Sequence, residues 1–367
     1  MNNLVFSNML HRPARTAVSV VGIGVGVLLI VFTIGLANGS LRERAQRESN
    51  VGAELMFRSP GSLGLGGSDP LRLPVSMAAE LEQVEGVAAA VPVAQNSVPA
   101  KDGLTGSRLI DGVPYDKYAA MAGLQIIQGR KFEDGKAEMM SDTAWLERRK
   151  MKIGDTFSIY DRDFEIVGTY EPSAGARIKI PLATMQAQIG ADDKASAFLV
   201  KIKDGYTVEA VGDALHAKFP ENQIIKTSEL EELYMQGIPA LNVFLDVVVG
   251  VAAVISGLII LLTMYTTVTE RTRQIGVLKS LGMSKTGIAM TIVQEALLIS
   301  IGGVIFGIAA TFILKAALTK WTSLSVTVEP QVVLTIIAVG LLSGVVGALY
   351  PGLRAAQLDA VDALNYD

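Results

Sequence analysis

Few residues in this 367-residue chain carry side chains suited to chemistry, and their spacing limits what they can do. There is no cysteine, which excludes disulfides, thiol nucleophiles and a Cys-based zinc site. The two histidines, His11 and His216, are too few for a His-rich metal site and read as ordinary polar positions. The spacings G-x-S-x-G, H-E-x-x-H and that of a Ca²⁺ loop are missing. So is G-x-x-x-x-G-K-[ST], so the chain has no loop of that kind to cradle ATP. Asp111, Asp142, Asp155, Asp161 and Asp163 are expected beside turns, where aspartate caps and stabilises loops. Two features remain. One is Glu295, a single acid within an apolar stretch. The other is the basic segment Glu270–Lys285, ERTRQIGVLKSLGMSK, with long apolar runs on both sides.

That segment is too short to fold alone. As a helix it would place Ile275, Leu278 and Leu281 near one face, with Arg271, Arg273 and Lys279 elsewhere, and Gly282 would end it. A basic amphipathic helix of this kind lies on anionic lipid, forms an ordinary positively charged loop, or docks into a soluble partner, and charge alone does not choose.

The elements that must position these residues are apolar. A bilayer core about 30 Å thick needs about 20 mostly apolar residues per spanning helix. Four segments meet that requirement: 16–37 and 332–349 without a charge, 241–268 with only Asp246, and 288–314 with only Glu295. The first could pass for a secretory leader, but its apolar run exceeds the roughly 7–15 residues of such leaders, so an uncleaved anchor is expected. Asp246 near one span end is expected at the interface. Glu295, seven residues into its span, is expected to make a structural hydrogen bond or pair with a basic residue of the segment beside it rather than to relay protons. Gly22 and Gly26, with Gly24 between them, form a small-residue face. Gly302, Gly303 and Gly307 do the same in the third span, and Gly340 and Gly344 in the fourth; such faces let helices approach closely. The run Gly22-Ile23-Gly24-Val25-Gly26 is no dinucleotide fingerprint, because no strand precedes it.

Orientation follows from Lys and Arg in short loops. Residues 1–15 carry Arg12 and Arg15 without an acid, and 269–287 carry four basic residues against one acid, so both are expected in the cytoplasm. Residues 38–240 and the short loop 315–331 then lie outside, and 350–367 inside. Residues 38–240 hold 23 of the 32 Lys and Arg and 29 of the 36 Asp and Glu, so this part is acidic, which argues against nucleic acid as a partner.

Within 38–240, short strands and helices alternate, which predicts an α+β domain. Residues 61–67 read as a loop, 77–84 and 208–218 as helices, and 86–93, 108–113 and 198–203 as strands. Residues 152–170 read as a hairpin with Phe157, Ile159, Phe164 and Ile166 on one face and an Asp-Arg-Asp turn. Residues 41–49 continue the first helix and 229–232 lead into the second span, so both ends of the domain are expected to be helical stalks. The fold class is a membrane protein of four transmembrane helices with a large extracytoplasmic α+β domain between the first and second.

The run Glu270-Arg271-Thr272-Arg273-Gln274-Ile275-Gly276-Val277-Leu278-Lys279-Ser280-Leu281-Gly282 resembles the coupling-helix signature of the MacB/FtsX-type permeases, membrane subunits of mechanotransmission ABC transporters. Residues 6–26, 81–93 and 154–168, Gln294-Glu295 with Gly302-Gly303, Tyr350–Ala356 and 359–367 are similar to further parts of that family. The resemblance implies an inner-membrane permease without a fused ATPase domain, not an enzyme by itself, that exports or extracts an amphipathic substrate outside the bilayer. It implies that ATP and Mg²⁺ bind a separate ATPase subunit docked on residues 270–282. Glu270, Arg271, Arg273 and Lys279 would make the polar contacts there, and Ile275, Leu278 and Leu281 the apolar anchor. It also implies a second permease copy paired through the small-residue faces, contact with membrane lipids, and room for a periplasmic adaptor. The alternative within the same resemblance is a signal transducer that switches an external cell-wall hydrolase; a stand-alone membrane sensor is the reading without an ATPase.

Overall fold

The computed structural model describes residues 13–60, 70–99, 107–236, 239–321 and 326–358. The expected loop 61–67 lies outside the described residues, as do parts of the N-terminal, C-terminal and 315–331 segments. The chain divides into two units, Met1–Ser40 with Pro239–Asp367, and Leu41–Ile238.

The elements of the second unit, in chain order, begin with the end of helix α1 (Pro13–Ser49), then β1 (Leu55–Arg58), β2 (Leu73–Pro74), α2 (Met77–Glu82), β3 (Val87–Pro99), β4 (Ser107–Val113) and α3 (Tyr115–Ala122). Next come β5 (Gln125–Gly129), β6 (Glu138–Asp142), α4 (Thr143–Arg149), β7 (Thr156–Ile159), β8 (Arg162–Glu171), β9 (Ile178–Pro181) and α5 (Leu182–Ile189). The unit closes with β10 (Lys194–Ala195), β11 (Ala197–Ile202), α6 (Val208–Lys218), β12 (Gln223–Lys226) and α7 (Leu230–Gln236).

One ten-stranded sheet runs β12-β1-β11-β3-β4-β9-β6-β8-β5, with β7 paired to β8. The β4–β9 and β6–β8 pairs are parallel and the other pairs antiparallel. Along β8 and β11 the period of two sends side chains to both faces, and both are buried. On β11, Phe198 and Val200 join an apolar cluster with Leu81 of α2 and Leu215 of α6, while Leu199 joins one with Ala45 of α1 and Tyr118 of α3. On β8, Phe164 and Ile166 pack with Trp145 of α4 and Met185 of α5, while Val167 and Tyr170 turn to the other face.

The hairpin forms with Phe157 opposite Phe164. Its turn is Tyr160-Asp161, both at positive φ (53° and 59°), as a two-residue hairpin loop requires. Arg162 and Asp163 therefore belong to the strand, which corrects the expected Asp-Arg-Asp turn.

The aspartates divide. Asp142 caps α4 by accepting from Trp145 N at 2.6 Å, and Asp155 accepts from Lys152 N at 2.7 Å. Asp111 does not sit beside a turn. It lies within β4, 1% exposed, and accepts from Ala176 N, from Gln95 Nε2 and from Lys179 Nζ at 3.0 Å. Lys179 is itself fully buried, over the rings of Tyr118 and Tyr170.

The helical ends of this unit are not free stalks. Ala45 and Glu48 of α1 are each 1% exposed, and so is Tyr234 of α7. Arg42 bonds Glu231, the Arg44 guanidinium lies 5.1 Å from the Tyr234 ring centroid, and Glu48 faces buried Arg58 at 3.8 Å. Polar straps thus fasten the two chain ends of the unit to each other and to the sheet. The stalks expected over 41–49 and 229–232 are packed into the base of the domain, and residues 237–238 lie outside the described residues.

The other unit holds the first part of α1 with α8 (Pro239–Glu270), α9 (Thr272–Ser280), α10 (Lys285–Trp321) and α11 (Pro330–Gln357). The helices with residues 13–49, 240–270, 285–318 and 330–357 are long and apolar enough to cross a membrane. Asp246 is exposed at the start of α8. The glycines act where helices meet. A Cβ at Gly307 would lie 2.5 Å from Gly24 O, and one at Gly303 would lie 2.6 Å from Ile23 Cγ2. Gly302 faces Val20, Gly22 faces Ile259 and Gly26 faces Ser256, so α1 is wedged against α10 and α8. Gly340 meets Val304 and Gly344 meets Ser300 and Ile260, which seats α11 on α10 and α8. These faces are consumed inside one chain. The expectation that they pair two copies is therefore corrected.

Candidate functional site

The basic segment folds as the short helix α9 after a one-residue break at Arg271 (φ −111°, ψ 16°). Five threonines precede or span the break, and Thr263, Thr266, Thr267, Thr269 and Thr272 each donate to a carbonyl three or four residues back. Such back-bonding competes with the helix ladder and favours bending. Leu281 N closes the last turn on Val277 O, and Gly282 at φ +93° lets the chain leave the helix.

Three sets of polar contacts tie this segment into the bundle, and a fourth contact joins its neighbours α8 and α11. Glu270 Oε2 accepts from Arg15 Nη1 of α1 at 2.8 Å. Arg271 Nη1 lies 3.8 Å from Glu295 Oε2 of α10, with both side chains largely enclosed, at 14% and 6% exposure. Lys279 Nζ donates to Ala356 O and Leu358 O at the end of α11, carbonyls that have no helical partner of their own. Arg354 of α11 donates to Tyr265 Oη of α8 at 2.7 Å. Each spanning helix is thereby linked, directly or through a neighbour, to the one short element between α8 and α10. Two structural roles are open to Glu295, and its nearest charged neighbour here is Arg271, a basic residue of the adjoining segment.

The expected coupling residues split into two groups. Ile275 and Gly276 are buried, and Ile275 packs in the same apolar cluster as Ile288, Ile292 and Ala355. Ile275 therefore cannot serve as an anchor for a partner, because it faces the bundle. Leu278 is half-buried, and Leu281 lies past the helix end with 79% exposure, so the three apolar residues do not share a face. Arg271, Lys279 and Glu270 are engaged within the chain. The outward face is Arg273, Gln274 and Val277, continued by Leu281 and Gly282. Val277 was not foreseen in that role. The signal for it was present: with about 3.6 residues per turn it shares a face with Arg273 and Gln274.

Against this geometry, residues 16–218 match the MacB-like periplasmic core domain and residues 247–360 match the FtsX-like permease C-terminal region. The chain belongs to the MacB/FtsX-type permease family. It is 25% identical over 387 residues to the macrolide export ATP-binding/permease protein MacB of Brucella melitensis biotype 1, covering 96% of this chain and 58% of that protein. It is 22% identical over 395 residues to the uncharacterized ABC transporter permease YknZ of Bacillus subtilis (strain 168), covering 99% and 98%. The periplasmic region of MacB from Actinobacillus actinomycetemcomitans superimposes with a TM-score of 0.39 at 16% identity, over 49% of this chain and 93% of that one. The chain thus spans a little over half the length of the MacB relatives it matches. With four helices long and apolar enough to cross a membrane, it is a multi-pass inner-membrane protein of that permease family.

Proposed function

We propose that this permease converts ATP-driven motion of a separate cytoplasmic ATPase, which holds the ATP and Mg²⁺, into movement of its α+β domain on the far side of the membrane. The work done there is export or extraction of an amphipathic substrate. The observation that carries this reading is the state of α9: one face is bare, and the opposite side is latched to the spanning helices. A partner that grips Arg273, Gln274, Val277 and Leu281 pulls on α1, α10 and α11 at once through Arg15–Glu270, Glu295–Arg271 and Lys279. The straps Arg42–Glu231 and Arg44–Tyr234 then join the outer end of α1 to α7, the helix that leads back toward α8. Basic residues beside α1 and in 269–287 favour a cytoplasmic position for α9 and an external one for the domain.

A second copy completes the transporter in this reading, with a periplasmic adaptor as a further partner. The copy packs against α8, whose apolar window is 17% buried against 28–33% in the other three spans, along Val247, Val251, Val254 and Leu258.

The test is Arg273→Glu. Because Arg273 is exposed, the variant should fold normally yet bind the cognate ATPase about tenfold more weakly, near 1.4 kcal/mol. Undiminished co-purification and ATPase stimulation would falsify the docking face.

A further inference from the structure

Between the end of α8, helix α9 and the start of α10 lies a cleft of about 340 Å³. That is within the roughly 300–1,000 Å³ of small-molecule pockets. Its floor is apolar, formed by Val268, Ile275, Leu278, Ile288 and Ile292. Its polar side chains are Arg271, Gln274, Thr267, Thr291 and Glu295, and Arg271 and Glu295 face each other at 3.8 Å. Two of its walls are the ends of helices long and apolar enough to span a bilayer, so bilayer hydrocarbon is within reach of the floor. The balance of charge around it is positive: Arg271, Arg273, Lys279 and Lys285 stand against Glu270 and the lining acid Glu295.

We propose that this cleft binds an anionic phospholipid from the adjoining leaflet, with an acyl chain on the isoleucine floor and the headgroup against the basic rim of α9. The match is of two kinds at once, apolar depth and positive charge, which a zwitterionic lipid satisfies only in part. Each Lys or Arg near an acidic lipid surface contributes about 1 kcal/mol, roughly a fivefold preference. A lipid seated there wedges the angle between α9 and α10, beside the threonine-rich break at Arg271, and so sets how α9 is presented. The inference rests on the chain spanning a bilayer and does not require that an ATPase dock on α9.

The test uses the purified full-length chain in nanodiscs containing phosphatidylglycerol or phosphatidylcholine with a photoactivatable acyl chain, followed by peptide mapping. The expected result is crosslinking concentrated in residues 267–292, about fivefold greater for phosphatidylglycerol and competed away by its unlabelled form. Ile292→Trp fills the floor and should remove the crosslink. Gln274→Trp, at an exposed rim position that tolerates bulk, should do the same without a change in melting temperature. Label spread evenly over the four spans, equal label from both lipids, or label that survives Gln274→Trp would overturn the proposal. An apolar cleft used only by a protein side chain would give the first two of those results. The readout uses the permease alone, so success or failure of ATPase docking on the parent chain does not enter it.

Discussion

Lys179 and Asp111 form an ion pair with almost no access to water, and the α+β unit pays for it in specificity of geometry: the ammonium also donates to Ala174 O and Ala176 O. Burial pulls the Lys179 pKa down and Asp111 pulls it back up. Removing one partner of such a pair strands the other, so Lys179→Met should cost about 3–5 kcal/mol in urea unfolding. Trp145, buried against Phe157 in the same unit, reports the transition by fluorescence in a Trp321→Phe background. A loss below about 1 kcal/mol would mean that Asp111 finds its stabilisation elsewhere. Glu138 gives a pH signature. The Arg130 hydrogen bonds lower its pKa to about 2, with a further contribution from Glu133 N. A carboxylate whose folded pKa is depressed adds stability that is full above its unfolded pKa and lost as pH falls toward the folded one. The acid limb of the stability curve between about pH 4.5 and 2 should therefore flatten in Glu138→Gln, read by the same fluorescence. An identical acid limb would show that other groups set it.

At the level of elements, the glycines of the spanning helices are tied to named neighbours. Gly307→Ala places a methyl against Gly24 O and Val27, and overpacking of that kind costs about 1–3 kcal/mol. Its melting temperature in detergent should drop. Gly250→Ala in α8 has no heavy atom within 4 Å and should melt at or above the parent. Equal melting of the two variants would contradict the α1–α10 contact. The sequence made the helices, the hairpin of Phe157 and Phe164, and helix α6 readable, because periods of 3.6 and 2 are local. It showed that small residues allow close approach, but not which helix approaches, since the partner of Gly24 lies in a span far along the chain. Asp111 was misread for the same reason: its cation is 68 residues away, and nothing in the local pattern marks it. Arg273 was legible as a position off the apolar face, whereas the inward turn of Ile275 was not, because amphipathicity does not say whether the apolar face meets a partner or the chain's own bundle.

For the whole molecule, the account needs α9 and the α+β domain on opposite sides of one membrane, with an engine on one side and a load on the other. The chain has no cysteine, so a single introduced thiol reports its own position without background. Leu281, 79% exposed, marks α9, and Arg162, exposed beside the hairpin turn, marks the domain. The most direct measurement is labelling of Leu281→Cys and Arg162→Cys with a membrane-impermeant maleimide in spheroplasts, before and after permeabilisation. The account predicts that Arg162→Cys reacts at once and that Leu281→Cys reacts only after permeabilisation. Prompt reaction of Leu281→Cys, or protection of Arg162→Cys until the membrane is opened, would contradict it.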